Sequence, residues 1–155
     1  MSVVTFYRGN TNAPKTTQGA HLGANAIITC NGKLLLEKRR DCDLWGLVGG
    51  GVKKQETPLQ AIVREIQEEL GLRIPQDQFR KLAVYGEPGR IAAYRDGSIW
   101  RMVIVIYGLE LQTEPEMTIS AESRDLRFFS KEELKDIEIV VTHSDVVDDW
   151  FVNIP

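Results

Sequence analysis

Cysteine and histidine are scarce in this chain, with two of each among 155 residues. Cys30 and Cys42 form no CxxC pair, and two cysteines make no disulfide framework, so both are expected as reduced thiols in a cytoplasmic protein. With only His21 and His143 to join them, a zinc centre of the usual Cys/His kind is not expected. Long apolar runs are also missing. The longest, Met102 to Tyr107, reads as a buried strand far too short to span a bilayer. The opening Met1-Ser2-Val3-Val4-Thr5-Phe6 has no basic region followed by a long apolar stretch, so neither a membrane segment nor a signal peptide is expected. Lysine and arginine do not cluster and the formal net charge is −3, which argues against binding along a nucleic-acid backbone. A local basic pocket for a small phosphorylated ligand stays open. Internal repeats and low-complexity segments are absent.

What is present fits one domain over residues 1–155, with 43% hydrophobic and 26% charged residues. A short strand is expected before a loop at Gly9–Gly19. Two strands, Ala24–Cys30 and Lys33–Lys38, are joined by Asn31-Gly32, a dipeptide that favours a tight hairpin. Leu44–Val48 reads as a short strand running into three glycines. Thr57 caps a helix whose first residue is Pro58, and Gly71 ends it in the left-handed conformation. Within it Leu59, Ile62, Val63, Ile66 and Leu70 share one face. Strands follow at Lys81–Tyr85, Trp100–Leu111 and Arg124–Phe129. Ser130 to Glu133 is a capping box opening a second helix, and a last helix is expected over Ser144–Phe151. Strands with a few helices and hairpins among them predict a mixed sheet sandwiched by helices, an α+β or α/β layer domain.

The segment Gly49 to Leu72 carries the chemistry. Glu65 and Glu69 lie one turn apart on the same flank of the helix, and Glu68 farther round, within an arc of roughly 100° beside the apolar stripe. Like charges at that spacing repel, and acids near a helix C-terminus oppose its dipole. A divalent cation reverses the sign of these terms, and clustered hard oxygens suit Mg²⁺ or Mn²⁺ bridged to phosphates. Alternatively, the glutamates form a solvated helix end with Arg64 paired to Glu68. Gly49-Gly50-Gly51, which lets backbone approach a ligand or ion without a Cβ in the way, favours the metal reading.

Gly50, five residues, Glu56, seven residues, then Arg64-Glu65-Ile66-Gln67-Glu68-Glu69-Leu70-Gly71-Leu72 resembles the complete Nudix box. The resemblance implies an α/β/α sandwich with a mixed β-sheet. It also implies that Glu65, Glu68 and Glu69, with the carbonyl of Gly50, hold Mg²⁺ (Mn²⁺ able to substitute), and that Arg64 steers the carboxylates, with Glu56 as partner. The implied reaction is attack of water on a nucleoside diphosphate linked to another group. In the family the general base is a box glutamate or an acid from a later loop, for which Glu122 is the candidate here. Val48, Lys53 and Gln55 stand where the family often has proline, an acid and glycine, which bears on the shape of the loop.

Arg39, at the end of a hairpin strand, is a candidate phosphate contact. Tyr94 and Trp100 either stack on a base or ribose or simply pack on the sheet. Pro88, sixteen residues beyond Leu72, is similar to a proline found in Nudix enzymes acting on ADP-ribose. The apolar residues Val140, Val141, Val146, Val147, Trp150 and Phe151 are core or subunit contacts, and a homodimer is suggested by the resemblance. Besides the hydrolase, two other readings remain: a nucleotide sensor that binds without cutting, and an isomerase that would need a cysteine at the pocket.

Overall fold

Runs rich in β-branched and aliphatic residues, broken by turn formers, build nine strands among the described residues, 3–155, of the computed structural model. They are β1 (Val4–Arg8), β2 (Ala20–Cys30), β3 (Lys33–Arg39), β4 (Trp45–Gly46), β5 (Val48–Gly51), β6 (Arg80–Tyr85), β7 (Arg90–Tyr94), β8 (Ile99–Leu111) and β9 (Ser123–Phe129). Two helices accompany them, α1 (Pro58–Leu70) and α2 (Val141–Val147). The sheet runs β1-β7-β8-β2-β3-β4, with β5 also on β2, β6 on β8 and β9 on β3. Its centre, β2 against β8, is parallel, whereas β2 pairs antiparallel with both β3 and β5. The sheet is therefore mixed, as expected.

Period-two alternation divides β2 between two cores. Ala24, Ala26 and Ile28 face α1 and meet Ile62, Ile66 and Leu70. Ile27 faces the other way, with Leu34 and Leu36 of β3, against Val146, Val147 and Phe151. Helix, sheet, helix is the layering that results. Each fully buried aliphatic side chain contributes at most about 1.5–3 kcal/mol, so the stripe of α1 is what fixes the glutamates beside it. The C-terminal apolar residues Val140, Val146, Val147 and Phe151 are buried within the chain's own core and are not a free face for a second subunit.

The caps of α1 form as read. Gln60 N–H donates to Thr57 Oγ1 (3.1 Å), Thr57 N–H donates to Gln60 Oε1 (2.9 Å), and Gly71 takes φ 74°. Asn31 and Gly32 both have positive φ, closing the hairpin. Elsewhere the structure corrects the reading. The strand expected from Ala24 begins at Ala20. The segment Leu44–Val48 breaks at Leu47, and the three glycines are strand β5 rather than loop, paired to Gly23–Asn25. The Ser130 box closes, with Glu133 N–H on Ser130 Oγ (3.2 Å) and Ser130 N–H on Glu133 Oε1 (2.9 Å), but it opens only a 3₁₀ turn, Glu133–Asp136. Ile139 bridges to Trp45 immediately afterwards and pulls the chain straight. The last helix starts at Val141, not Ser144, and finishes in a π turn, Asp148–Val152. Strand β7 was not foreseen. No helix among the described residues is long and apolar enough to cross a membrane.

Candidate active site

α1 projects Glu65 back onto β5. A Cβ on Gly50 would stand 2.6 Å from Glu65 Cδ and Oε1 and 2.8 Å from Oε2, so the carboxylate occupies the space that any other residue's side chain would fill. Gly49 is required for a different reason: its φ is 146°, and a Cβ there would strike the Ala24 carbonyl oxygen at 2.1 Å. Glu65 and Glu69 are both buried, while Glu68 is exposed.

Arg64 organises the acidic side chains. Its Nε and Nη2 fork onto Glu56 (3.0 and 2.5 Å), Nη2 also donates to the Gly51 carbonyl (2.9 Å), and Nη1 reaches Glu65 (2.8 Å) and Glu68 (3.1 Å). That planar fork ties the helix to β5 and fixes one oxygen of Glu65. Glu56 is pushed down to about 2, first by Arg64 and then by Lys53 N–H, which donates to its Oε1 at 2.8 Å. Lys53 thus serves the loop through its backbone, which does not require an acidic side chain there.

Glu69 has no such partner. Its Oε2 is enclosed and receives no hydrogen bond. The group it meets is another carboxylate, Glu37 of β3, to which it can bond only by sharing a proton. Burial, that contact and the charges of Glu37 and Glu65 raise Glu69 far above the usual carboxylate range. Glu37 is itself buried and accepts from Ser123 Oγ at 2.7 Å. Sequence reasoning missed Glu37. Its only signal was an acid directly after the apolar run Leu34–Leu36, and its meeting with Glu69 depends on how β3 and α1 come together in the fold.

A cavity of about 640 Å³ opens beside these groups. Of the expected residues Gly49, Gly50, Glu65, Arg39, Tyr94 and Glu122 line it, joined by the unexpected Glu37, so the structure gathers most of the expected set. Glu68, Glu69, Trp100 and Pro88 do not. Trp100 instead stacks edge-on against His21, at 6.0 Å between centroids, and His21 is the one that reaches the cavity. Glu68 faces outward with Arg64. Arg39 forks onto Asp41 (2.9 and 2.6 Å) and lies over the Phe6 ring, so its charge is partly answered before any phosphate arrives. Neither Cys30 nor Cys42 lines the cavity, and burial raises the Cys42 thiol to about 11, which leaves the isomerase reading without its cysteine.

The donor set fits a hard divalent cation. Glu65 is seated against a glycine, Glu69 carries an enclosed oxygen with no donor, and a third carboxylate stands beside it. Among the described residues no three such groups are drawn into a closed cage. Mg²⁺ keeps several waters and takes only one or two carboxylates plus phosphate oxygens, so an open carboxylate edge suits it.

The family model described as NUDIX domain matches residues 19–150. The chain belongs to the Nudix family. Among curated relatives, this Nudix chain is 30% identical over 97 residues to the nucleoside triphosphatase NudI of Enterobacter sp., covering 61% of the chain and 67% of NudI. It is 47% identical over 51 residues to an RNA pyrophosphohydrolase of Hydrogenovibrio crunogenus, covering 33% of the chain but only 30% of that protein. The chain thus spans less than a third of the length of that relative. In fold, the Nudix domain of NrtR from Shewanella oneidensis, solved with ADP ribose, matches with a TM-score of 0.68 at 20% identity, covering 89% of this chain and 90% of that one. A bifunctional NMN adenylyltransferase/ADP ribose pyrophosphatase from Francisella tularensis matches with a TM-score of 0.70 at 21% identity, over 88% of this chain and 41% of that one.

Proposed function

We propose that this Nudix chain is a Mg²⁺-dependent pyrophosphohydrolase that cuts a nucleoside diphosphate linked to another group into a nucleoside monophosphate and a phosphorylated remainder. The observation that carries the reading is the Glu65 carboxylate seated in the space above Gly50, beside the donor-less Glu69, at the edge of a cavity large enough for a nucleotide. Glu65 and Glu69 hold the metal, with Glu68 and the Gly50 carbonyl as further ligands, and Arg64 sets the carboxylate directions. When bound, the ion neutralises charge on the phosphate oxygens and lowers the pKa of water. Water oxygen bonds to phosphorus, the anhydride P–O bond breaks, and the leaving phosphate takes the electron pair. The proton lost by water goes to a carboxylate at the cavity, for which Glu65 and Glu122 are the candidates. Arg39 contacts the phosphates and Tyr94 the base or ribose. ADP-ribose, another nucleoside-diphosphate sugar and a (d)NTP remain the substrate candidates; one relative is named a nucleoside triphosphatase and two solved structures name ADP ribose, which supports the first and the last without choosing between them. A homodimer belongs to the same proposal and is tested by the mass in solution.

The test is a product assay over ADP-ribose, other nucleoside-diphosphate sugars, dinucleoside polyphosphates and (d)NTPs, with Mg²⁺ and with EDTA. Metal-dependent release of a nucleoside monophosphate is expected from at least one. Binding without cleavage across the panel would instead favour a sensor.

A further inference from the structure

His143 is buried, 5% exposed, and lines the same cavity from α2. Its neighbours mark the end of the cavity it occupies. A Cβ on Gly46 would lie 3.1 Å from His143 Nδ1 and 3.2 Å from Arg39 Cδ, so the imidazole and Arg39 sit side by side against one glycine. The Arg39 guanidinium covers the Phe6 ring at 5.0 Å, and Phe6 and Tyr94 line the cavity with it. This end is aromatic and hydrogen-bonding, whereas the Gly50 end is acidic.

The Leu47 N–H donates to His143 Nδ1 at 3.0 Å. Nδ1 therefore carries no proton, and the single N–H of the ring is on Nε2. Burial, with the positive charges of Arg39 and Arg90 nearby, pushes the ring down to about 3, so it stays neutral across the physiological range. The hydrogen bonds of the described residues include no acceptor for Nε2–H. Nor is Nε2 among the enclosed atoms without partners, which are His21 Nδ1 and Glu69 Oε2; the N–H reaches the cavity.

Given the pyrophosphohydrolase reading, we propose that His143 is a substrate-binding residue, its Nε2–H donating to an uncharged acceptor on the nucleoside part of the substrate. A phosphate oxygen would be better served by a cation, and the backbone bond to Nδ1 forbids the ring from becoming one. A carbonyl oxygen, hydroxyl or ring nitrogen suits a neutral donor beside Phe6 and Tyr94. Since the donor is fixed and a bound nucleoside displaces water from it, a nucleoside lacking an acceptor at that point leaves it unpaired and is discriminated against.

The experiment uses the full chain with the α,β-methylene analogues of ADP, GDP, CDP and UDP, which carry the nucleoside but cannot be cut. Calorimetry gives Kd for the tightest of them against wild type, His143→Asn and His143→Gln. Asn can offer Oδ1 to Leu47 N–H yet has no donor at Nε2, while Gln reaches with an amide donor. We expect His143→Asn to fold with a near-normal Tm and weaken Kd about two- to tenfold, and His143→Gln to recover part of that loss. Imidazole ¹⁵N spectra are expected to show the Nε2–H tautomer and to move at Nε2 on binding. If an analogue binds wild type and His143→Asn equally and Nε2 does not move, the assignment of His143 is overturned while the pyrophosphohydrolase reading stands. If none of the analogues binds wild type, the assignment of His143 falls, and the product assay decides the pyrophosphohydrolase reading separately.

Discussion

Replacing Gly50 with alanine adds one carbon at a place already occupied. The new Cβ would lie 2.6 Å from Glu65 Cδ, and ordinary contact begins at 3.4 Å, so something must retreat by about 0.8 Å. β5 cannot easily do so, because Gly50 is in register with Ala24 of β2, which is wholly buried. The Glu65 carboxylate is the mobile partner, and moving it strains its 2.8 Å contact with Arg64. Overpacking of this kind costs about 1–2 kcal/mol, or a fall in Tm of roughly 2–8 °C for a domain of this size. A displacement approaching 1 Å at a reacting centre costs about a hundredfold in rate. Turnover should therefore fall about a hundredfold in a protein that is still folded at 25 °C. The assay pairs thermal melts with ³¹P NMR of the products. The double variant Gly50→Ala/Glu65→Asp shortens the acid by one methylene and should regain the Tm without regaining turnover, a coupling that distant sites do not show. Full turnover in Gly50→Ala would refute the reasoning, since the Glu65 carboxylate would then not act from where it stands.

Glu69→Gln should lower turnover by orders of magnitude while leaving the fold intact, because a metal ligand is lost from a site with no other use for a buried charge. Since the folded pKa of Glu69 lies above its ordinary 4.5, the metal-free protein should lose stability as pH rises from about that value toward the raised one; melts from pH 5 to 9 in EDTA check the slope, and an equal slope in Glu69→Gln would contradict it. Arg64→Lys keeps the charge but loses the fork onto Glu56, and Mn²⁺ affinity followed by EPR should drop about 10–100-fold. Arg90→Ala removes a wholly buried guanidinium that ties Glu87, the Thr142 carbonyl and Asp145 together, and should cost about 3 kcal/mol by urea titration.

The readable parts of the chain were those whose physics is local. Thr57, Gln60 and Gly71 close α1 through bonds spanning three or four residues, so the carboxylate face could be laid out before any tertiary contact was known. The Ser130 box was equally legible and equally real, yet the helix stopped at one turn because Ile139 is claimed by Trp45, nearly a hundred residues earlier. β7 escaped notice because Ala92 and Ala93 carry little strand preference, and its pairing with β1 and β8 is decided by those neighbours. Glu37 and His143 were illegible for the same reason. Each becomes part of the cavity only when strands and helices distant in the chain are brought to one place.

The parallel pairing at the centre of the sheet also governs how the protein can fold. From Ala20↔Arg101 to Cys30↔Leu111, each residue of β2 is matched with one 81 positions later. Chain entropy must be surrendered over that whole span before the first of these contacts forms, which places the domain among slowly folding, high-contact-order topologies. The glutamate helix lies inside the span, so a nascent chain carries the full set of box residues well before it can carry the site. Until β8 has emerged from the ribosome, β2 lacks its long parallel partner, and the exposed edge between them is where a partially made chain is most open to the wrong partner.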